Sequence, residues 1–511
     1  MARPYIAFYL VCLFFARVIS LFTNVPEFSG GSNSQMMNTL IVCANRYNNP
    51  APVMPLGACM VAEAVEKEGR RVGLLDLMFE PDPPAALRSR LDEAKPDIVG
   101  LSVRNIDNND MHNPYGFYQE LAPLIAVIRS RTRAPILLGG SAAGVLPESL
   151  LRHTGASWVA LGEGEVIFPK LLSSLSSGMA PSEVPGLGWL EDGVYTTSPK
   201  PSPLPFDSCA VPDFHRWINV RAYSSHLSTV PVQTKRGCPY RCVYCTYQAL
   251  EGNSYRLCSP ESVVDVVKRL ASMGLRDIEF VDNVFNSPHD HALGICEGIA
   301  RNGFDGHLQS LELNPAFIDD ALLSAMERAR FCGIGITVES ASDDVLKRLR
   351  KGFTMADVDR AAEVVRRHKL PCIWIFMFGC PGETESTVLE TLRFVHRVLR
   401  PRDVAFFNPG VRIYRGTELE TIARAEGQLN VPPEDMLEPV FYLSPQVNTT
   451  WLAKVLQDFM ASHMNCLTCN SLGLPFLPAI HRIGHKLGVK PPLWKHTRHI
   501  RRLLRIFRPD L

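Results

Sequence analysis

The sequence predicts an α/β protein: a doubly wound N-terminal domain, then a partial (β/α)6 barrel, then a helical C-terminal extension. Three observations carry that expectation. Two long stretches alternate short, near-continuous apolar runs with segments of helical periodicity, as parallel sheets covered on both faces require. A Pro/Ser/Asp-rich stretch at 180–215 separates them. The second stretch contains six β/α steps, too few to close an eight-fold barrel.

In the first stretch the apolar runs TLIVCA (39–44), VGLLDL (72–77), DIVGLSV (97–103), PILLGG (135–140) and WVALGEGE (158–165) read as strands. Helical periodicity covers 56–69, 84–94 and 116–132, the first ending in glycine. Ligands of such a sheet sit at the carboxyl ends of its strands. In the second stretch VQTKRG, DIEFVDN (277–283), HLQSLEL (307–313), GIGITVES (333–340), CIWIFMFG (372–379) and VAFFNPGV (404–411) read as strands. Helices are expected at 260–273, 289–302, 318–329, 355–368 and 385–399. The implied boundaries are a leader at 1–35, domains at 36–180 and 226–440, a linker at 181–225 and an extension at 441–511.

Composition excludes little but directs attention to local sites. Lys+Arg (53) and Asp+Glu (52) balance, which gives no global pull toward nucleic acid. Fourteen cysteines in 511 residues fit a reducing, cytoplasmic compartment better than a disulfide scaffold, because most are scattered singly in apolar runs. Residues 5–22 are apolar apart from Arg17. With a second start at Met36–Met37, an extended gene start is the preferred reading over a membrane anchor. The stretch 481–508 is rich in Lys and Arg and has no acid. It suits a solvated basic face, with a membrane surface or an anionic substrate as the alternative.

One string carries chemistry: KRGCPYRCVYCTY (235–247). Cys238, Cys242 and Cys245 are spaced C-x-x-x-C-x-x-C in a loop directly after a strand. Thiolates are soft ligands suited to iron–sulfur clusters. Three of them reach three irons of a [4Fe-4S] cube and leave the fourth open for a substrate. Zinc is the rival, but wants a fourth ligand; the CLTC pair Cys466/Cys469 is the candidate source.

This loop, with Tyr244 before its last cysteine and strands after it, resembles the radical S-adenosylmethionine (SAM) superfamily. The resemblance implies that the open iron chelates SAM, whose reductive cleavage yields a 5′-deoxyadenosyl radical. It also implies an external one-electron reductant of the flavodoxin or ferredoxin type. IEFVDNVFN (278–286) resembles the segment that meets the SAM amino group and nominates Asp282 and Asn283. TVESAS (337–342) nominates Glu339 and Ser340. FGCPGETES (378–386) resembles the family's glycine-rich turn, with Gly379 and Gly382 for close approach to the ligand. VRIYRGTEL (411–419) resembles a segment of the cobalamin-associated branch and places Arg412 and Tyr414 either at the cavity or in a structural role.

A doubly wound (Rossmann-like) domain before such a barrel resembles the cobalamin-binding subclass. Ser102, Gly139, Gly140, Gly162 and Glu163 stand where that resemblance implies cobalamin contacts, with Arg104, Asn105 and Asp107 as further candidates after the third strand. The stretch Asp76-Leu77-Met78 is read as the counterpart of a cobalt-ligating D-x-H motif that lacks its histidine. The expected activity is methylation of an unactivated carbon in a small-molecule, lipid or natural-product substrate. A cyclisation or rearrangement using both cofactors is the runner-up, and a non-catalytic cobalamin or iron–sulfur protein the alternative of another class.

Overall fold

A computed structural model describes residues 37–201, 205–206, 210–432, 436–468 and 476–507, with side chains described as far as residue 502. The apolar leader and Cys469 lie outside the described residues.

The first sheet holds β1 (Asn38–Cys43), β2 (Arg71–Asp76), β3 (Ile98–Ser102), β4 (Ile136–Gly139), β5 (Trp158–Ala160), β6 (Leu187–Glu191) and β7 (Val194–Thr197), in the order β2-β1-β3-β4-β5-β6-β7. β1 to β5 are parallel. The β6–β7 hairpin adds to them antiparallel, so the sheet runs on into the stretch read as a linker. β1 and β3 are spatial neighbours with crossovers on opposite faces, the point where open α/β sheets leave a crevice. Helices Leu56–Lys67 and Gly164–Ser177 cover one face. Pro83–Ala94 and Leu121–Arg131 cover the other. Pro83–Ala94 starts because the Asp82 carboxylate accepts the Ala85 N–H (3.0 Å), with proline in the first helical position.

The second sheet is built from β8 (Val230–Val232), β11 (Asp277–Phe280), β12 (His307–Leu313), β13 (Phe331–Glu339), β14 (Cys372–Phe378), β15 (Val404–Pro409) and β18 (Cys466–Thr468). All neighbours are parallel, in the order β18-β15-β14-β13-β12-β11-β8. Five of the six expected strands are present as read; the first lies earlier, as β8, because of VQTKRG only Val232 pairs in this sheet, and β18 is a seventh, supplied by the extension expected to be helical. Short pairs β9 (Lys235–Arg236) with β10 (Arg256–Leu257), and β16 (Val411–Arg412) with β17 (Phe441–Tyr442), brace the loops above it.

Alternation along these strands divides the barrel into an outer and an inner layer. Trp374, Phe376, Phe378 and Phe407 pack outward against the helices, so four of the five aromatics on β14 and β15 are structural. Phe406 faces the opposite way, with Ile373, Ile375 and Leu311. Helix Pro260–Ser272 shows how the outer layer is held. It buries Val263, Val264, Val266, Val267 and Leu270, each worth about 1.5–3 kcal/mol. No helix among the described residues is long and apolar enough to cross a membrane.

Candidate active site

The cysteine loop follows β9 at the carboxyl end of β8, and its base is pinned by buried polar contacts. Asp282, after β11, accepts the Thr234 N–H (2.6 Å), the Thr234 hydroxyl (2.6 Å) and the Lys235 N–H (3.2 Å). The buried Lys235 ammonium donates to the carbonyls of Val284, Phe285 and Ser287 at 3.2, 2.6 and 2.9 Å. Burial pulls that ammonium down to about 8. Gly237 has φ +83°, and a Cβ there would lie 2.1 Å from the Ser254 carbonyl oxygen, so only glycine fits. The loop then returns through Cys238 N–H to Gly252 O (3.1 Å) and Cys245 N–H to Cys242 O (3.1 Å).

Cys238, Cys242 and Cys245 are free thiols and electrostatic neighbours. Burial pushes all three up, and the Lys351 ammonium pulls each back toward the thiolate. Among the described residues no three His, Cys, Asp or Glu side chains gather on a single metal ion. Cys466, the proposed fourth zinc ligand, is buried in the outer core on β18, at the sheet edge opposite β8.

Behind the loop, Tyr244, Glu339 and Lys351 form one cluster. The Tyr244 hydroxyl donates to Glu339 (2.9 Å), and Lys351 Nζ contacts both at 3.0 Å. Burial pulls the Lys351 ammonium down, but Glu339, Tyr244 and Cys242 outweigh it and hold the pKa well above the usual range. Glu339 ends β13 with φ +67°, which turns its side chain toward the loop. Sequence reasoning missed Lys351. Its only signal is the RKG turn after a short helix, which carries no spacing rule.

The other SAM candidates divide. Asn283 donates to Glu251 (2.8 Å), whose other donors include the Gly237 N–H, so it stands beside the loop. Asp282 is not free to meet an amino group, because both oxygens are spent on Thr234 and Lys235. Ser340 faces away, buried against Thr391 of helix Glu385–Val398. Gly379 and Gly382 have φ of +86° and +73°, but the space beside them is filled by Leu443 and Arg348 rather than left for a ligand. These glycines permit the turn and its packing. Arg412 and Tyr414 also belong to packing: Arg412 pairs with the buried Asp107 carboxylate (2.7 Å) and its guanidinium lies 4.9 Å from the Tyr414 ring centre.

At the carboxyl ends of the first sheet lies a cavity of about 280 Å³. Ser102, Gly139, Gly140, Gly162 and Glu163 all line it. A Cβ on Gly139 or Gly57 would meet nothing within 4 Å, so both leave their space to the cavity. Gly140 has φ +94° and a Cβ there would strike the Val103 carbonyl at 2.5 Å. The Glu163 carboxylate is engaged by Arg236 (3.0 Å) and Arg256 (2.7 Å), so its role is to hold the cysteine loop's base. Arg104 and Asn105 lie outside the lining and bond each other (3.2 Å), and the Arg104 guanidinium reaches toward Tyr247 and Glu279. The stretch 76–78 does not border the cavity. Asp76 accepts the Tyr223 hydroxyl (2.7 Å) and Met78 is buried in the barrel-side core, so it neither supplies nor withholds a cobalt ligand there. The far wall comes from the segment after β8 and from the short helix Tyr247–Glu251: Gln233, Arg236, Tyr247, Leu250 and Glu251.

The radical SAM superfamily model matches residues 232–395, and the B12 binding domain model matches residues 46–172. The chain joins a B12-binding domain to a radical SAM domain. It is 26% identical over 369 residues to an uncharacterized methyltransferase of Pyrococcus horikoshii, covering 70% of this chain and 77% of that one. It is 24% identical over 442 residues to the tryptophan 2-C-methyltransferase of Streptomyces laurentii (74% and 73%). The hopanoid C-3 methylase of Methylococcus capsulatus is 28% identical over 271 residues, about half of each chain. Among solved structures, the radical SAM methyltransferase TsrM of Kitasatospora setae, with cobalamin and a [4Fe-4S] cluster bound, has a TM-score of 0.80 at 23% identity. That match covers 93% of this chain and 99% of that one, and establishes the fold. The residues on both sides fit these groups: three free thiols beside a charged cluster, and a glycine-lined cavity facing them.

Proposed function

We propose that this radical SAM enzyme transfers a methyl group to an unactivated carbon of a natural-product or lipid substrate, in the cytoplasm. The observation that carries the reading is that one cavity has both walls: the glycines of the first sheet on one side, and on the other Tyr247, two residues beyond Cys245. When bound, the cluster, SAM and cobalamin supply a hydrogen-abstracting radical and a transferable methyl group. The chain's own residues hold and orient them. Cys238, Cys242 and Cys245 would hold the cluster. Lys351 favours their ionised form and fixes Glu339 and Tyr244 beside it. Glu339, Tyr244 and Asn283 would meet SAM. Ser102, Gly139, Gly140 and Gly162 would admit the cobalamin tail. Chemistry at the cluster calls for an external one-electron donor of the flavodoxin or ferredoxin type. The relatives named for methyl transfer to carbon support methylation over cyclisation.

The test is anaerobic reconstitution with iron, sulfide and cobalamin, followed by turnover with SAM deuterated in its methyl group. A product that carries one trideuteromethyl group in place of a hydrogen of its precursor is expected. Release of 5′-deoxyadenosine with an unlabelled product would establish the cyclisation reading instead.

A further inference from the structure

The inner layer of the barrel is two-sided. On β14 and β15, Ile373, Ile375 and Phe406 present an apolar wall. Its lower end is closed by the C-terminal extension, whose Trp494 packs on Gly333, where a Cβ would lie 2.6 Å from the ring. The facing wall, on β11 and β12, carries hydrogen-bond acceptors beside Leu311. Glu279 accepts the Thr229 hydroxyl (2.6 Å) and the Gln309 amide N–H (2.7 Å). Gln309 is only 5% exposed, and its carbonyl Oε1 is buried without a donor. Among the described residues no donor reaches the Glu312 carboxylate, whose side chain is solvent-accessible yet closely surrounded by protein.

Burial first, then the Glu339 charge, push Glu312 up to about 8, with Lys351 pulling it down and Glu279 adding to the rise. Lys351 is already paired with Glu339, and Arg104 reaches in from the first sheet toward Glu279 and Tyr247. Two carboxylates and an unmet carbonyl therefore stand near one guanidinium, which bonds Asn105 and makes no ion pair among the described residues. The Gln309 carbonyl, buried without a donor, costs free energy until a ligand supplies one, and the accessible Glu312 carboxylate is open to the same ligand.

We infer that the barrel interior receives a substrate with a protonated nitrogen on an apolar body, the nitrogen held by Glu312 and the Gln309 carbonyl, the body against Ile375, Phe406 and Trp494. The inference rests on the methyl-transfer reading for its turnover assay and names the substrate class of that same site. It favours amine-bearing acceptors over hydrocarbon or anionic ones.

To test it, the reconstituted full chain is given methyl-labelled SAM and source-cell extract split on a cation exchanger at pH 7. Label is expected in compounds retained by the exchanger. Label confined to the flow-through overturns the inference and leaves methyl transfer standing. Label in no fraction overturns methyl transfer, and 5′-deoxyadenosine release then decides recognition: faster release with the retained fraction upholds it, and no acceleration overturns it. Glu312→Gln should raise KM for the retained acceptor at least about tenfold, with a smaller change in kcat, because a charge-assisted hydrogen bond is lost. Glu312→Asp should recover part of that loss. An unchanged KM in Glu312→Gln overturns the role of this residue.

Discussion

Lys351 is where a single side chain decides the state of its neighbours. Its ammonium is buried, contacts Glu339 and Tyr244 at 3.0 Å and draws all three cysteine thiols toward ionisation. Replacing it with methionine keeps the volume but leaves the Glu339 carboxylate buried and unpaired. Breaking such a pair from one side costs about 3–5 kcal/mol, far more than an exposed pair would. We expect Lys351→Met to lower the unfolding free energy read by urea titration by that amount in the cluster-free protein, and Lys351→Met/Glu339→Gln to recover much of it. A single variant within 1 kcal/mol of wild type, on the order of an exposed pair, would show that water reaches the cluster.

The turn between β14 and helix Glu385–Val398 makes a second point at the scale of the element. Glu383 accepts the N–H groups of Gly379 and Cys380 (3.1 Å for the latter), which closes the turn, while its Oε1 is buried without a partner. Burial pushes its carboxyl up to about 7 and the two N–H groups pull it back. Because the folded value lies above the unfolded one, the native state binds more protons between pH 4.5 and about 7. This group's contribution therefore falls as pH rises through that window, by about 3 kcal/mol in all. Glu383→Gln keeps an acceptor and removes the ionisation. It should flatten the fall and raise stability at pH 8, as read by chemical denaturation at a series of pH values. A variant with an unchanged pH profile would place the titration elsewhere.

Elements of this kind also show what could be read from the sequence. The strands were legible because a sheet covered on both faces needs continuous apolar runs, and CIWIFMFG can be little else. The three cysteines were legible because their spacing is local. That Gly139, Gly140 and Gly162 would line a cavity followed from strand ends in a doubly wound sheet. Less could be seen where partners are distant in sequence. Whether Asp282 points at a ligand depends on Thr234 and Lys235, and Gly379 opens toward Leu443 rather than a cofactor. β18 escaped notice because three residues carry no periodicity and pair only once β15 is in place.

Over the whole molecule, catalysis requires that the first sheet's cavity stay in register with the cysteine loop, and two ion-pair groups hold it there. Glu163 and Glu165 grip Arg236, beside the loop. On the other flank Arg412, after β15, grips Asp107, after β3, with both side chains buried. Arg412→Met leaves the Asp107 carboxylate uncompensated between the two sheets, at a cost of about 3–5 kcal/mol. Arg412→Met/Asp107→Asn removes the stranded charge while keeping the acceptor that Asn109 N–H uses (2.9 Å), and should restore most of the stability. If the pair also sets the register, the double variant will fold yet exchange amide protons faster at 103–116 and 411–414. It will also release more 5′-deoxyadenosine per methyl group transferred, because the two halves of the cavity no longer meet in one geometry. A double variant with wild-type exchange and wild-type coupling would mean that Glu163, Glu165 and Arg236 suffice to hold the halves together.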